Sequence, residues 1–175
     1  VSMVWDAKRI RAVGEMVEVV PNRVMRIEVE IIGDKQGTRL TMYGVYMPQR
    51  SGMSAAVDDA WQRLSEDAQG RTNVWVVGDM NAETRTHVQQ RGKNMKPADV
   101  LMETVIWDHN LRVTGQGRPT HRSGTEIDHV LAAGRHAASV SEARLAPGVC
   151  GKDHQLVWVD FFYEVDREGC GSARA

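Results

Sequence analysis

Cysteine is scarce: Cys150 and Cys170 are the only two in 175 residues. That is too few for a disulfide framework, so the chain must hold together by burial rather than by cross-links. Cys170 falls in a glycine-rich tail, and reduced thiols in an intracellular compartment are the simplest expectation. No run approaches the roughly 18 apolar residues that a bilayer-spanning helix needs, and the N-terminus lacks the basic segment and apolar core of a secretory signal. The chain reads as soluble and unexported, with no membrane partner. Excess charge is missing too: 22 Lys and Arg face 23 Asp and Glu, a net −1. No basic surface announces a polyanion, and a nucleic-acid claim has to rest on a local site. Internal repeats and long linkers are absent, which argues for one domain. An initiator Met is absent as well. The chain opens on the apolar, strand-like Val1-Ser2-Met3-Val4-Trp5, which suggests a fragment.

What is present is an alternation of strand-like and helix-like segments. From Val24, Met25, Ile27, Val29 and Ile31 share one face while Arg26, Glu28 and Glu30 share the other, the period of a half-buried strand. Turn chemistry at Gly33-Asp34-Lys35-Gln36-Gly37 and a second strand, Thr38 to Met47, make residues 22–47 a hairpin that Pro48 ends. Between Ser54, a candidate N-cap, and Gln69 the apolar residues Val57, Ala60, Trp61, Leu64 and Ala68 fall at helical spacing, and Gly70 closes the helix. Asn73 to Val77 is apolar on both faces, as a central strand requires. A polar loop leads to Pro97 and a short helix carrying Val100, Leu101, Thr104 and Val105. Ile127 to Ala132, Ala138 to Leu145 and Gln155 to Val165 read as strands. Trp61, Trp75, Trp107 and Trp158 lie in these elements and are expected in the core. The pattern is α+β, with sheets stacked on each other and helices outside.

Three polar clusters sit where apolar strands stop, the place where a rigid scaffold can converge side chains. The first is Gly78-Asp79-Met80-Asn81. In extended backbone, residues two apart project to one side, so the Asp79 carboxylate and the Asn81 amide can address one ligand. The alternative is an ordinary Asp/Asn turn. The second cluster is Ile127-Asp128-His129, with an acid inside an apolar strand that is costly unless paired. Gly151-Lys152-Asp153-His154 is the third. Asp128 is the natural partner of His154, because a carboxylate accepting the imidazole N–H fixes its tautomer and raises its basicity. Taken singly, a carboxylate held by backbone donors and an exposed loop histidine explain these two as well. The scattered His87, His109, His121, His129 and His136 show no ligand spacing, so no structural zinc site is expected. Ser123 with His129 lacks the strand-elbow-helix of a serine hydrolase.

The ordered set of Tyr46-Met47-Pro48, Gly78-Asp79-Met80-Asn81, Thr120 through Glu126-Ile127-Asp128-His129, and Asp153-His154 closely resembles the endonuclease/exonuclease/phosphatase superfamily, over residues 1 to about 165. The resemblance implies a four-layer α/β/β/α sandwich of two stacked, mostly antiparallel sheets lacking its N-terminal portion, with 166–175 as a flexible tail. It implies metal-dependent phosphodiester hydrolysis with Mg²⁺ or Mn²⁺. Asp79 would orient or deprotonate the attacking water, and Asn81 would hold that water and a phosphate oxygen. His154, oriented by Asp128, would stabilise phosphoryl charge or act as base. Asp153 would serve the metal, and Tyr46 would contact phosphate or protonate the leaving group. The family's upstream Asn and metal-binding Glu are not found here, and Glu15 and Glu18 do not fit that motif. The resemblance therefore implies weak metal binding and little nuclease activity with Mg²⁺. Lys152 stands where many members carry Ser; its ammonium could neutralise a phosphate, and solvent is the expectation. The stretch from Arg118 to Leu131 looks most like retrotransposon-type endonucleases, which implies DNA as substrate and a nuclear location. Thr120 would then lie near the substrate phosphate, with Arg118, His121 and Arg122 on the DNA backbone. A phosphatase acting on a small molecule or lipid, and a noncatalytic binding remnant, are the alternatives.

Overall fold

A computed structural model describes residues 3, 6–34, 37–49, 55–115, 118–134, 137, 144–150 and 153–160, with the backbone alone for 144, 146–150, 156 and 158. The expected Val1–Trp5 strand apart from Met3, the Ser54 cap, Lys152, the Trp158 side chain, most of the Ala138 to Leu145 strand, everything after 160 and the 166–175 tail lie outside those residues.

Seven strands form one mixed sheet in the order β1-β3-β4-β5-β7-β6, with β2 also paired to β3. They are β1 (Ile10–Ala12), β2 (Val17–Val20), β3 (Val24–Ile31), β4 (Arg39–Tyr46), β5 (Val74–Asp79), β6 (Arg112–Val113) and β7 (Asp128–Ala132). The hairpin β3–β4 is antiparallel, with Val24 opposite Val45 and Val29 opposite Leu40. The pair β4–β5 is the parallel one, and its crossover is α1 (Ala55–Ala68), since parallel neighbours need a long return path. A second, two-stranded sheet pairs β8 (Arg144–Cys150) with β9 (His154–Trp158). The architecture is the expected α/β sandwich.

Each face of the large sheet has its own core. On one face α1 buries Val57, Ala60, Trp61, Leu64 and Ala68 with Tyr43, Val74, Val76 and Leu131, the helical stripe expected from the sequence. On the other, Ile27, Val29, Ile31, Leu40, Trp75 and Ala132 cluster, with Val159 packed against them from the chain just after β9. The polar face of β3 is not simply solvated. Arg26 meets Asp67 of α1 at 3.0 Å, Arg71 meets Glu28 at 2.7 Å, and the Tyr43 hydroxyl donates to Asp67 at 2.7 Å. Charged residues at strand period thus serve as a polar seam under a helix.

Two sequence expectations change here. The loop before Pro97 contains a short helix, α2 (Arg85–Gln90), capped by the Thr84 hydroxyl accepting from the His87 N–H. The helix after it, α3 (Pro97–Asp108), buries Ala98, Asp99, Met102 and Val105, leaving Val100 and Trp107 exposed. Trp107 is 85% exposed and is no core residue, whereas Trp61 is 1% exposed. Apolar side chains occur all round α3, so no stripe in its sequence marks the inner face. Trp61→Ala is expected to lower unfolding free energy by about 3–5 kcal/mol, and Trp107→Ser to change it by under about 0.5 kcal/mol. Urea denaturation of the two variants checks both values.

Candidate active site

Strand directions decide what meets at one end of the sheet. Because β4 and β5 are parallel, their C-terminal residues are neighbours, and Tyr46 pairs with Asp79. Because β7 is antiparallel to β5, its first residue arrives at the same level, and Asp79 pairs with Asp128. Cross-strand partners project to the same side, so two carboxylates from different strands face each other at the sheet rim.

His154 reaches them from the second sheet. Its Nδ1 lies 3.0 Å from Asp128 Oδ2 and 3.3 Å from Oδ1. The loop before β7 holds it in place. The Arg122 N–H donates to the Asp153 carbonyl at 2.7 Å, the Gln155 N–H donates to the Thr120 carbonyl at 2.7 Å, and His121 bridges His154. The His121 ring also meets the His154 ring edge-on at 4.8 Å between centroids. Asp79, Asp128 and His154 each place one ligand-capable atom within 4.8 Å of the others, the one such grouping among the described residues.

Asn81 is nearly buried, its backbone N–H donating to Asp79 Oδ1 at 2.9 Å and its Nδ2 to the Met47 carbonyl at 2.8 Å. It has φ 47°, so the strand ends at Asp79, and a turn rather than strand alternation brings the Asn81 backbone N–H onto the Asp79 carboxylate. Thr120 is buried, and its hydroxyl oxygen accepts from the Ile127 and Asp128 N–H groups, both at 3.0 Å. It clamps the start of β7. Asp153 is exposed and paired with Arg122 at 2.9 Å, outside the three-residue grouping. Tyr46 is 43% exposed. Arg118 is exposed and lines a small cavity beneath the site together with Thr120, Glu126 and His129.

Sequence reasoning missed the supporting layer. Glu126 is 1% exposed and accepts from the Thr84 hydroxyl at 2.9 Å. His129 Nε2 lies 2.9 Å from the Ala82 carbonyl, and the Glu83 N–H donates to Asp99 at 2.8 Å. These bonds tie the loop after Asn81 to β7 and α3. The only signal was Glu126 sitting beside an apolar strand, where an acid needs a donor.

Burial pushes the Asp79 carboxyl up from its ordinary 3.8, the Asn81 N–H pulls it back, the neighbouring Asp128 charge adds to the rise, and His154 and His121 oppose it. The sign for stability follows from proton binding. Between the unfolded and the raised folded value the folded chain holds the proton that the unfolded chain has lost, so stability falls as pH rises through that window. In metal-free buffer Asp79→Asn is expected to be more stable than wild type at neutral pH, with the difference vanishing below about pH 3.8. Urea titrations across this range test it; an unchanged difference at low pH would contradict the cause given.

No family model matches the chain, and no curated protein matches its sequence. Solved structures do. The endonuclease domain of TRAS1, a telomere-specific non-LTR retrotransposon, superposes with TM-score 0.64 at 12% identity, over 86% of this chain and 67% of that one. The fold is that of the endonuclease/exonuclease/phosphatase proteins. The same fold is found in a 3'-5' exonuclease from Neisseria meningitidis, with TM-score 0.60 at 15% identity over 81% of this chain and 65% of that one. A mannosyl-6-phosphatase from Bacteroides thetaiotaomicron also has it, with TM-score 0.53 at 11% identity over 91% of this chain and 69% of that one. The chain thus spans about two thirds of the length of these endonuclease/exonuclease/phosphatase structures. No helix among the described residues is long and apolar enough to cross a membrane.

Proposed function

We propose that the chain is a divalent-metal-dependent phosphodiesterase acting on DNA, an endonuclease of retroelement type. The observation that carries this reading is the Asp79–Asp128 cross-strand pair with His154 hydrogen-bonded to Asp128. A phosphodiester resists attack because it is anionic, so hydrolysis needs a positioned water, a base and compensation of phosphoryl charge. Asp79, with its raised proton affinity, is suited to take a proton from water. His154 held by Asp128 is suited to carry a proton and face the phosphoryl oxygens. Asn81, anchored by Met47, lines the same edge. The retrotransposon endonuclease neighbour and the neighbouring exonuclease favour a nucleic-acid substrate.

The donor set fits a hard divalent cation in kind, with two carboxylates converging beside an imidazole. Asp79 and Asp128 would hold the ion, and Asp153 would join them on leaving Arg122. Mg²⁺ prefers about six oxygens in octahedral array, so this set alone gives weak affinity and little activity at low Mg²⁺. A bound cation supplies charge neutralisation on the phosphate and a more acidic water.

A phosphatase acting on a small phosphoester is the second reading, favoured by the net charge of −1 and by the phosphatase among the structural neighbours. Plasmid nicking and a panel of small phosphoesters, assayed at high Mn²⁺ and again with EDTA, separate the two. Metal-dependent nicking is the expected result, and turnover of small phosphomonoesters without nicking would sink the nuclease reading.

A further inference from the structure

We propose that His121 is a positioning residue: its ring, held by its own loop, fixes the plane of the His154 imidazole, which Asp128 holds by one nitrogen. The proposal rests on the phosphodiesterase reading above and deepens it by naming what aims that imidazole.

Asp128 by itself does not set that ring. Its two oxygens lie 3.0 and 3.3 Å from the same nitrogen, Nδ1. The carboxylate thus fixes the distance of the imidazole while tolerating rotation about the line that joins the two groups. The His154 side chain is 33% exposed, and a ring at a rim with solvent on one side has few packed neighbours to stop such a swing. Rotation would move Nε2, the nitrogen not tied to Asp128, across the space that a phosphoryl group would occupy. A misplacement of about 1 Å is enough to slow a reaction severely.

The second restraint comes from the loop that leads into β7. His121 bridges His154 across the two segments. Its ring meets the His154 ring at 4.8 Å between centroids and 68° between planes, the edge-to-face arrangement that ring quadrupoles favour. His121 is itself held. The Ser123 N–H donates to His121 Nδ1 at 3.2 Å, and Ser123 Oγ lies 2.7 Å from the same nitrogen. A backbone N–H can only donate, so Nδ1 is the acceptor and the neutral His121 ring carries its proton on Nε2. Ser123 Oγ is in turn 2.9 Å from Thr125 Oγ1. The backbone closes the same loop: the Thr120 and His121 N–H groups donate to the Thr125 carbonyl at 2.9 and 3.0 Å, and the Gly124 N–H donates to the His121 carbonyl at 2.9 Å. All of these bonds lie within residues 120–125, so the His121 ring is set independently of His154. Asp128 then fixes the distance of the imidazole and His121 its plane.

The test reads the His154 ring itself as well as turnover. In the 175-residue chain grown with carbon-13-labelled histidine, NMR relaxation gives an order parameter for the His154 ring, whose resonances are assigned by their loss in His154→Gln. The wild-type ring should approach the rigid value of about 0.85, and His121→Ala should fall below about 0.6. His121→Phe keeps an aromatic ring without the nitrogens and should return to the wild-type value. For hydrolysis of bis(p-nitrophenyl) phosphate at high Mn²⁺, kcat should fall about three- to tenfold in His121→Ala with KM unchanged, the span of one edge-to-face ring pair, and recover in His121→Phe. A His154 ring that stays ordered in His121→Ala, or a His121→Phe variant that behaves like His121→Ala, overturns the proposal. So does a His154 ring loosened with no fall in kcat. If the wild type hydrolyses no diester, the phosphodiesterase reading is lost, and the order parameters alone decide whether His121 sets the ring.

Discussion

Hydrolysis of an activated diester such as bis(p-nitrophenyl) phosphate, measured at Mn²⁺ high enough to fill a weak site, falls by about 10²–10⁴-fold in Asp79→Ala, the range set by loss of a positioned base. His154→Ala falls by a similar factor. The two are not equivalent inside the fold. Asp79 is flanked by Tyr46 and Asp128, and burial raises its proton affinity, so its loss would remove both the proposed base and one of the two carboxylates proposed to hold the ion. The His154 imidazole is hydrogen-bonded to Asp128, so its loss leaves that carboxylate without its imidazole partner. The double variant should be scarcely slower than either single one if the residues act as a unit. Circular dichroism should be unchanged in all three. A single variant that keeps wild-type turnover would remove these residues from the reaction.

Gly78→Ala is expected to be among the most damaging substitutions in the chain, costing about 3–5 kcal/mol of unfolding free energy. Gly78 has φ 140°, a conformation that L side chains rarely adopt, and an added Cβ would fall on the Val45 carbonyl oxygen and 3.1 Å from the Val45 carbonyl carbon. Backbone, not a movable side chain, is in the way. Val45 belongs to β4, so relief would push β4 and β5 apart at the level where Tyr46 and Asp79 are neighbours. A shift of the urea midpoint matching that loss, with hydrolysis lost in the molecules that remain folded, is the expected joint result. A midpoint within experimental error of wild type would mean that the two strands can separate locally at little cost.

How far the sequence carries is best seen at particular residues. The β3–β4 hairpin and the buried stripe of α1 are legible because one face is apolar at period 2 and the other at period 3.6. Asp79, Asp128 and His154 are legible as strand-end polar residues, since an acid or imidazole beside an apolar run needs a reason. Asn81 is harder. Strand alternation would put its side chain beside Asp79, yet a left-handed turn that periodicity does not describe brings its backbone N–H to Asp79 and its amide to the Met47 carbonyl. The six-residue α2 is invisible because it buries only His87 and Val88, too little for a stripe. Arg26 and Glu28 look like a solvated strand face until α1 is laid over them. Trp107 looks like core because its type is usually buried, and α3 turns it outward. The position of Asp153 against Arg122 depends on loop geometry that no spacing encodes.

The Gln155 N–H, donated to the Thr120 carbonyl, is adjacent in sequence to His154 and crosses between the segment that carries the imidazole and the loop that leads into Asp128. When those two segments separate, that proton is released to solvent, and its deuterium uptake then counts how often His154 leaves its partner. A single backbone amide thus serves as a built-in clock for the fraction of time the Asp128–His154 pair is assembled, readable in the absence of substrate, metal or turnover.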